Sequence, residues 1–191
     1  MLITLLLIVG LTSITHGQAP RSDGHGRFKL DEFNRALGVE CTHCHVADNW
    51  TAQEKLPLSV ARNMTQMVAL VNGKLLRGIG EVRCWTCHRG ETRPARVPHE
   101  ALDAQLAKWP ADVADAPEST KLAMAVYSAS TGLLCTQCHE KGDWKRVGTD
   151  RMRLVPRMNA IFPAIEPFMP PQARTQCYMC HQGKQKPEKN P

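Results

Sequence analysis

The sequence predicts a mainly α-helical chain built as two like halves. Three observations carry that prediction. A 94-residue shift superposes one stretch of the chain on another, apolar residues recur at helical spacing with no convincing strand alternation, and the usual core-filling aromatics are scarce. Of 191 residues, 42% are hydrophobic but only 5% are Phe, Trp or Tyr. Aromatic side chains bury roughly 150–250 Å² each, so something else must fill this interior. Charged residues at 22% exclude a polytopic membrane protein, and the apolar share excludes a wholly disordered one.

The shift lays Gly38 on Gly132, Cys41 on Cys135, His45 on His139, Trp50 on Trp144 and Met64 on Met158. After the loss of one residue, Cys84 meets Cys177, Gly90 meets Gly183 and Pro94 meets Pro187. The halves are expected at residues 26–93 and 119–183, joined by a Pro- and Ala-rich linker over 94–118 and followed by a solvated tail over 184–191.

The elements follow in order. Residues 1–17 read as a secretory signal: Leu2 to Leu11 is uncharged and apolar, too short to span ~30 Å of hydrocarbon, and small or polar residues follow it. Uncleaved, the segment would tether the chain to a membrane. A helix over 28–37 places Leu30, Phe33 and Leu37 on one face. A second, over 56–72, sets Val60, Met64, Met67 and Val71 in a stripe, with Pro57 near its start and Asn72-Gly73 as its stop. The linker holds one short helix, 99–108. A helix over 120–131 takes Ser119 or Thr120 as N-cap, and a fourth begins at Pro156 and is cut short by Pro163.

Export would bring eight Cys into an oxidising compartment, where disulfides are the ordinary outcome. Their pattern argues otherwise. They fall only as Cys41–Cys44, Cys84–Cys87, Cys135–Cys138 and Cys177–Cys180, and each pair is followed at once by His45, His88, His139 or His181. C-x-x-C-H is the attachment signature of c-type haem. Two thiols three residues apart add across the vinyl groups of one haem, and the next imidazole reaches the iron. Paired Cys₄ zinc sites would use the same Cys but give no reason for the adjacent His. The expectation is therefore four covalently bound haem c groups, with the halves as pseudo-symmetric dihaem units whose short helices pack on haems: a multihaem cytochrome c fold with few or no strands.

Distal ligands are fewer than irons need. Beyond the four motif His, only His16, His25, His43 and His99 remain, and His16 departs with the signal. Bis-His coordination throughout is therefore impossible in the mature chain, and Met must serve or a site stays open. The repeat singles out Met64 and Met158 as ligands, and Met124 lies on the helix entering the third motif. Met67 and Met152 read as core filler. Leu30 stands where the first haem would need the equivalent of Met124. His25 is the substitute nearest in sequence; an open iron and His99 from beyond the first half are the alternatives. His43, inside its own motif, reads as a surface residue.

Two stretches carry a family resemblance. Leu37 to Pro94, "LGVECTHCHVADNW…VARNMTQMVALVN…VRCWTCHRGETRP", resembles the first half of the cytochrome c subunit of photosynthetic reaction centres, and Leu122 to His139, "LAMAVYSASTGLLCTQCH", resembles the start of its second half. The resemblance implies four haems in two pairs about a pseudo-twofold axis, each beside a helix parallel to its plane, three with His/Met ligation and one bis-His. Carried over by position, Met64 would bind the haem of Cys84 and Cys87, and Met124 that of Cys135 and Cys138. The family's cross-half His is missing from Gly73–Arg83, a need that Met158 can fill at the fourth haem. The family's lipid-anchoring Cys is missing too, and the chain is short, so a stand-alone relative is expected.

These readings imply a periplasmic carrier or relay of single electrons between redox proteins, rather than an enzyme. A small haem enzyme reducing peroxide or a nitrogen oxide at an open first haem is one alternative, and a subunit of an extracellular haem conduit another. The net charge of +6 would suit a nucleic-acid partner, but the basic residues are scattered and aromatic platforms for bases are few. Haem propionates, about −8 in all, and ferric cores, about +4, would bring the loaded chain near +2 oxidised and −2 reduced.

Overall fold

A computed structural model describes residues 30–146 and 149–191; the proposed signal, residues 26–29 and His25 lie outside the described residues. Within these, the chain is helical, with isolated bridges in place of strands. The α-helices are α1 (Leu30–Leu37), α2 (Cys41–Cys44), α3 (Leu56–Leu70), α4 (Cys84–His88), α5 (His99–Leu106), α6 (Glu118–Thr131), α7 (Asp150–Asn159), α8 (Ile161–Ile165) and α9 (Tyr178–His181).

Several boundaries differ from the sequence reading, each for a local reason. The Asn72-Gly73 pair does not stop α3, which continues as a π-turn over Val71–Leu75. Asn72 is held there because its amide donates to the Val82 carbonyl at 2.9 Å and its oxygen accepts from the Val82 N–H at 2.8 Å, closing the intervening loop. The linker helix ends at Leu106 rather than 108. Helix α6 begins at Glu118 with Pro117 as N-cap, so neither Ser119 nor Thr120 caps it. Helix α7 starts six residues before Pro156, because Thr149 caps it by accepting from the Met152 N–H at 3.2 Å. Pro156 sits inside α7, and Pro163 lies in the first turn of α8, where a missing N–H leaves no helix bond unmade.

The two-part repeat appears in matching local structures. Helix α1 packs on α4, and α6 packs on α9. The Gly90 N–H donates to the Ala36 carbonyl at 2.8 Å, and the Gly183 N–H donates to the Ser130 carbonyl at the same distance. Ala36 and Ser130, equivalent under the shift, are both fully buried at 1% and 0% exposure. Small residues are needed there because backbone meets backbone. Gly38 and Gly132 follow with φ of +63° and +68°, and a Cβ would stand 2.0 Å from the Gly90 oxygen or 2.2 Å from the Gly183 oxygen. Only Gly fits both the left-handed backbone and that approach.

The halves meet through equivalent residues. Val71, Leu76 and Ile165 form a buried apolar cluster, with Met67, Leu75, Val82, Met158 and Ile161 packed against it. Val71 and Ile165 correspond under the 94-residue shift, as do Met67 and Ile161. The second meeting point is α4 on α9, where Cys87 and Cys180, also equivalents, bring their Sγ atoms to 2.8 Å. Contacts of a surface with its own counterpart are the mark of an approximate twofold relation. Arg157 adds to this junction by donating to the carbonyls of Leu75 at 3.5 Å and Arg77 at 3.2 Å.

Candidate haem centres

Each C-x-x-C-H motif starts a short turn of helix, so its two sulfurs and its imidazole leave the backbone within one and a half turns. At the second motif Thr86 fixes that turn: its hydroxyl accepts from the Arg83 N–H at 2.9 Å, and the side chain is fully buried. None of the eight Cys forms a disulfide. Among the described residues, no three His, Cys, Asp or Glu side chains converge on one point.

Three of the four motif imidazoles share one hydrogen-bonding arrangement. The Nδ1 of His45 lies 3.1 Å from the Trp50 carbonyl, that of His88 2.9 Å from Glu91 and that of His181 2.9 Å from Lys184. A carbonyl only accepts, so Nδ1 must carry the proton, which leaves the Nε2 lone pair bare. That is the tautomer in which metal-bound imidazoles are held by their surroundings. Burial also pushes the His88 imidazole below its ordinary pKa, keeping it neutral. His139 differs, since its buried Nδ1 has no hydrogen-bond partner. The rings of His45 and His139 lie 5.9 and 6.1 Å from Trp50 and Trp144, tilted by 52° and 53°. Both tryptophans stand five residues after their motif His, a common spacing that signals the contact in the sequence itself.

Burial raises the thiols of Cys44, Cys138 and Cys177, and pushes Cys84 up to about 11. At the junction the hydrogen bond to Cys180, together with burial, raises Cys87. The same bond and the Arg89 charge hold Cys180 down.

Two features of the fold fit a large flat apolar group at these motifs. The buried apolar core of the described residues is small for the chain, while Leu30, Leu56 and Leu134 stand 63%, 73% and 61% exposed near the motifs. On α1 it is the small Ala36 that is buried, and the large stripe of Leu30, Phe33 and Leu37 is left partly or fully open. A cavity of about 640 Å³ also opens against Cys135, walled by Leu134, Thr136, Trp144 and the linker residues Gln105, Lys108 and Asp112. The linker is tied there by Trp144 Nε1 donating to Asp112 at 2.7 Å and Ser128 donating to Gln105 at 2.9 Å.

The expected Met ligands lie on the helices named for them. Met64 on α3 and Met124 on α6 are half-buried, and Met158 on α7 packs against the Val71–Ile165 cluster. His43 is exposed, and His99 is exposed at the start of α5, which packs on α6.

Comparison with known proteins bears on the same residues. Residues 34–114, which include the first two motifs, match the family described as photosynthetic reaction centre cytochrome C subunit. Over those residues the chain is similar to the reaction-centre cytochrome c subunits. The photosynthetic reaction center cytochrome c subunit of Thermochromatium tepidum is 36% identical over 56 residues, which are 28% of this chain and 14% of that protein. The family is one of haem c proteins that transfer electrons, and its match joins α1, the Met64 helix and α4 in one segment. Among the described residues, no helix is long and apolar enough to cross a membrane.

Proposed function

We propose that this chain is an exported tetrahaem c-type cytochrome that relays single electrons between redox proteins. The observation that carries the reading is the fourfold C-x-x-C-H motif, with three of its imidazoles held by a carbonyl on Nδ1. A haem bound at each motif supplies an iron that gains or loses one electron, at a potential set by its axial ligands and burial. The chain's own residues supply the rest. Each Cys pair fixes one attachment, and the Nδ1 carbonyls orient the imidazoles. Met64, Met124 and Met158 offer thioethers from helices α3, α6 and α7. Cys87 and Cys180 set the second and fourth attachment points side by side, so the two halves are joined where electrons would pass between them. A set of mostly His/Met sites suits a donor of middle to high potential.

The first test is stoichiometry: the purified chain should give four haems by pyridine haemochrome assay, and two would refute the tetrahaem reading. The second concerns ligation. Replacing Met124 with His should lower one of four midpoint potentials, and an unchanged titration would remove Met124 as a ligand.

Leu30 favours a second reading. It occupies the position equivalent to Met124, and a leucine offers no ligand. If neither His25 nor His99 binds the first iron, that site is open to peroxide or a nitrogen oxide. Electron paramagnetic resonance of the oxidised protein decides between them. Four low-spin haems are expected for the relay, whereas one high-spin haem in four, with CO binding after reduction, would favour the enzyme.

A further inference from the structure

Arg89 follows His88 and closes α4 in the left-handed conformation, with φ 49°. Its equivalent, Gln182, follows His181 and closes α9 at φ 45°. The turn itself therefore accepts a neutral side chain, and the charge at Arg89 needs another explanation. The guanidinium reaches into the other half, where an NH2 group donates to the Cys180 carbonyl at 3.2 Å across 91 residues of sequence. Its side chain is only 15% exposed, and its Nε is buried without a partner. The nearby carboxylate is Glu188, at 3.9 Å and more exposed than the arginine. Holding a cation out of water is costly unless something in its surroundings benefits from the charge.

We propose that Arg89 is a shared charge-tuning residue for the second and fourth haem sites, raising both reduction potentials together. The inference rests on the reading of these motifs as haem sites. Uptake of one electron at either site lowers the local charge by one, with no proton required. A fixed cation at the junction of α4 and α9 favours that state at both sites, since poorly solvated charges interact over longer range than surface ones. The repeat supplies the internal control, because Gln182 shows what the fold tolerates in the same backbone geometry.

The test is spectropotentiometry of the loaded full chain, after a haemochrome assay has confirmed four haems in each variant. Wild type with fewer than four haems would refute the tetrahaem reading itself and is thereby distinguished from failure of this inference. With four haems present, Arg89→Gln should raise the ferric-to-ferrous ratio at fixed potential about tenfold at two sites and leave the other two unchanged. Arg89→Lys should stay close to wild type. Combining Arg89→Gln with Gln182→Arg moves the cation to the equivalent position and should restore both potentials. Four unchanged potentials in Arg89→Gln, a shift at one site only, or equal shifts in the Lys and Gln variants would overturn the proposal. Should Arg89→Gln not retain four haems, Gln182→Arg alone decides. A second cation should lower the ratio at the same two sites, and no change there would overturn the proposal.

Discussion

Gly132→Ala is expected to destabilise the chain by about 3 kcal/mol, from left-handed strain of ~1–2 kcal/mol, overpacking of ~1–3 kcal/mol and a weakened backbone hydrogen bond of ~1 kcal/mol, which are not fully additive. The new Cβ would stand 2.2 Å from the Gly183 oxygen, well inside contact distance. Either α6 or the turn after α9 must move, and that motion breaks the Gly183 N–H bond to Ser130. Gly38→Ala should behave alike, since its Cβ would meet the Gly90 oxygen at 2.0 Å. Gly142→Ala is the control. It shares a positive φ of 84° but meets nothing within 4 Å, so it should cost only the conformational strain of ~1–2 kcal/mol. Denaturant unfolding followed by circular dichroism checks all three. Equal losses at Gly132 and Gly142 would show that the close approach is unimportant.

The second large effect is expected at the apolar junction. Ile165→Ala should cost about 2–4 kcal/mol, because the residue is 8% exposed within the Val71–Leu76–Ile165 cluster and its removal leaves a cavity. Val71→Ala should cost less, as fewer atoms are lost. Since Val71 and Ile165 belong to one cluster, the double variant should depart from the sum of the singles by at least about 0.5 kcal/mol. Additive losses in denaturant unfolding would mean that the halves do not share a core at this point.

The candidate site is legible where its chemistry is local. Cys84, Cys87 and His88 fall within five residues, the spacing that one covalent haem c would need, so the proposed attachment is written in the local sequence. Helix existence was legible for the same reason, because an amphipathic stripe such as Val60–Met64–Met67–Val71 is written along the chain. Boundaries were not. Pro156 looked like a start, but Thr149 caps α7 two turns earlier, and Asn72-Gly73 looked like a stop until Asn72 found Val82. The first was decided by a local cap, Thr149 on the Met152 N–H, that precedes the apolar stripe, and the second by bonds to a residue ten positions away. The stripe on α1 reverses the usual expectation, because the small Ala36 is its buried residue while Leu30, Phe33 and Leu37 are half-buried or exposed.

The scarcity of Phe, Trp and Tyr, the four motifs and the 94-residue repeat are determined by sequence, for composition and spacing are properties of the chain before it folds. They point to a molecule in two like parts, and they carry the proposal of an interior built on haem. Tertiary structure alone decided how the parts meet: Val71 near Ile165, Cys87 against Cys180, and Arg89 reaching the carbonyl of Cys180. Those contacts join residues 91 to 94 positions apart, and no local periodicity encodes them. A repeat states that two halves are alike; only packing determines which of their equivalent faces find each other, and which buried charge the meeting encloses.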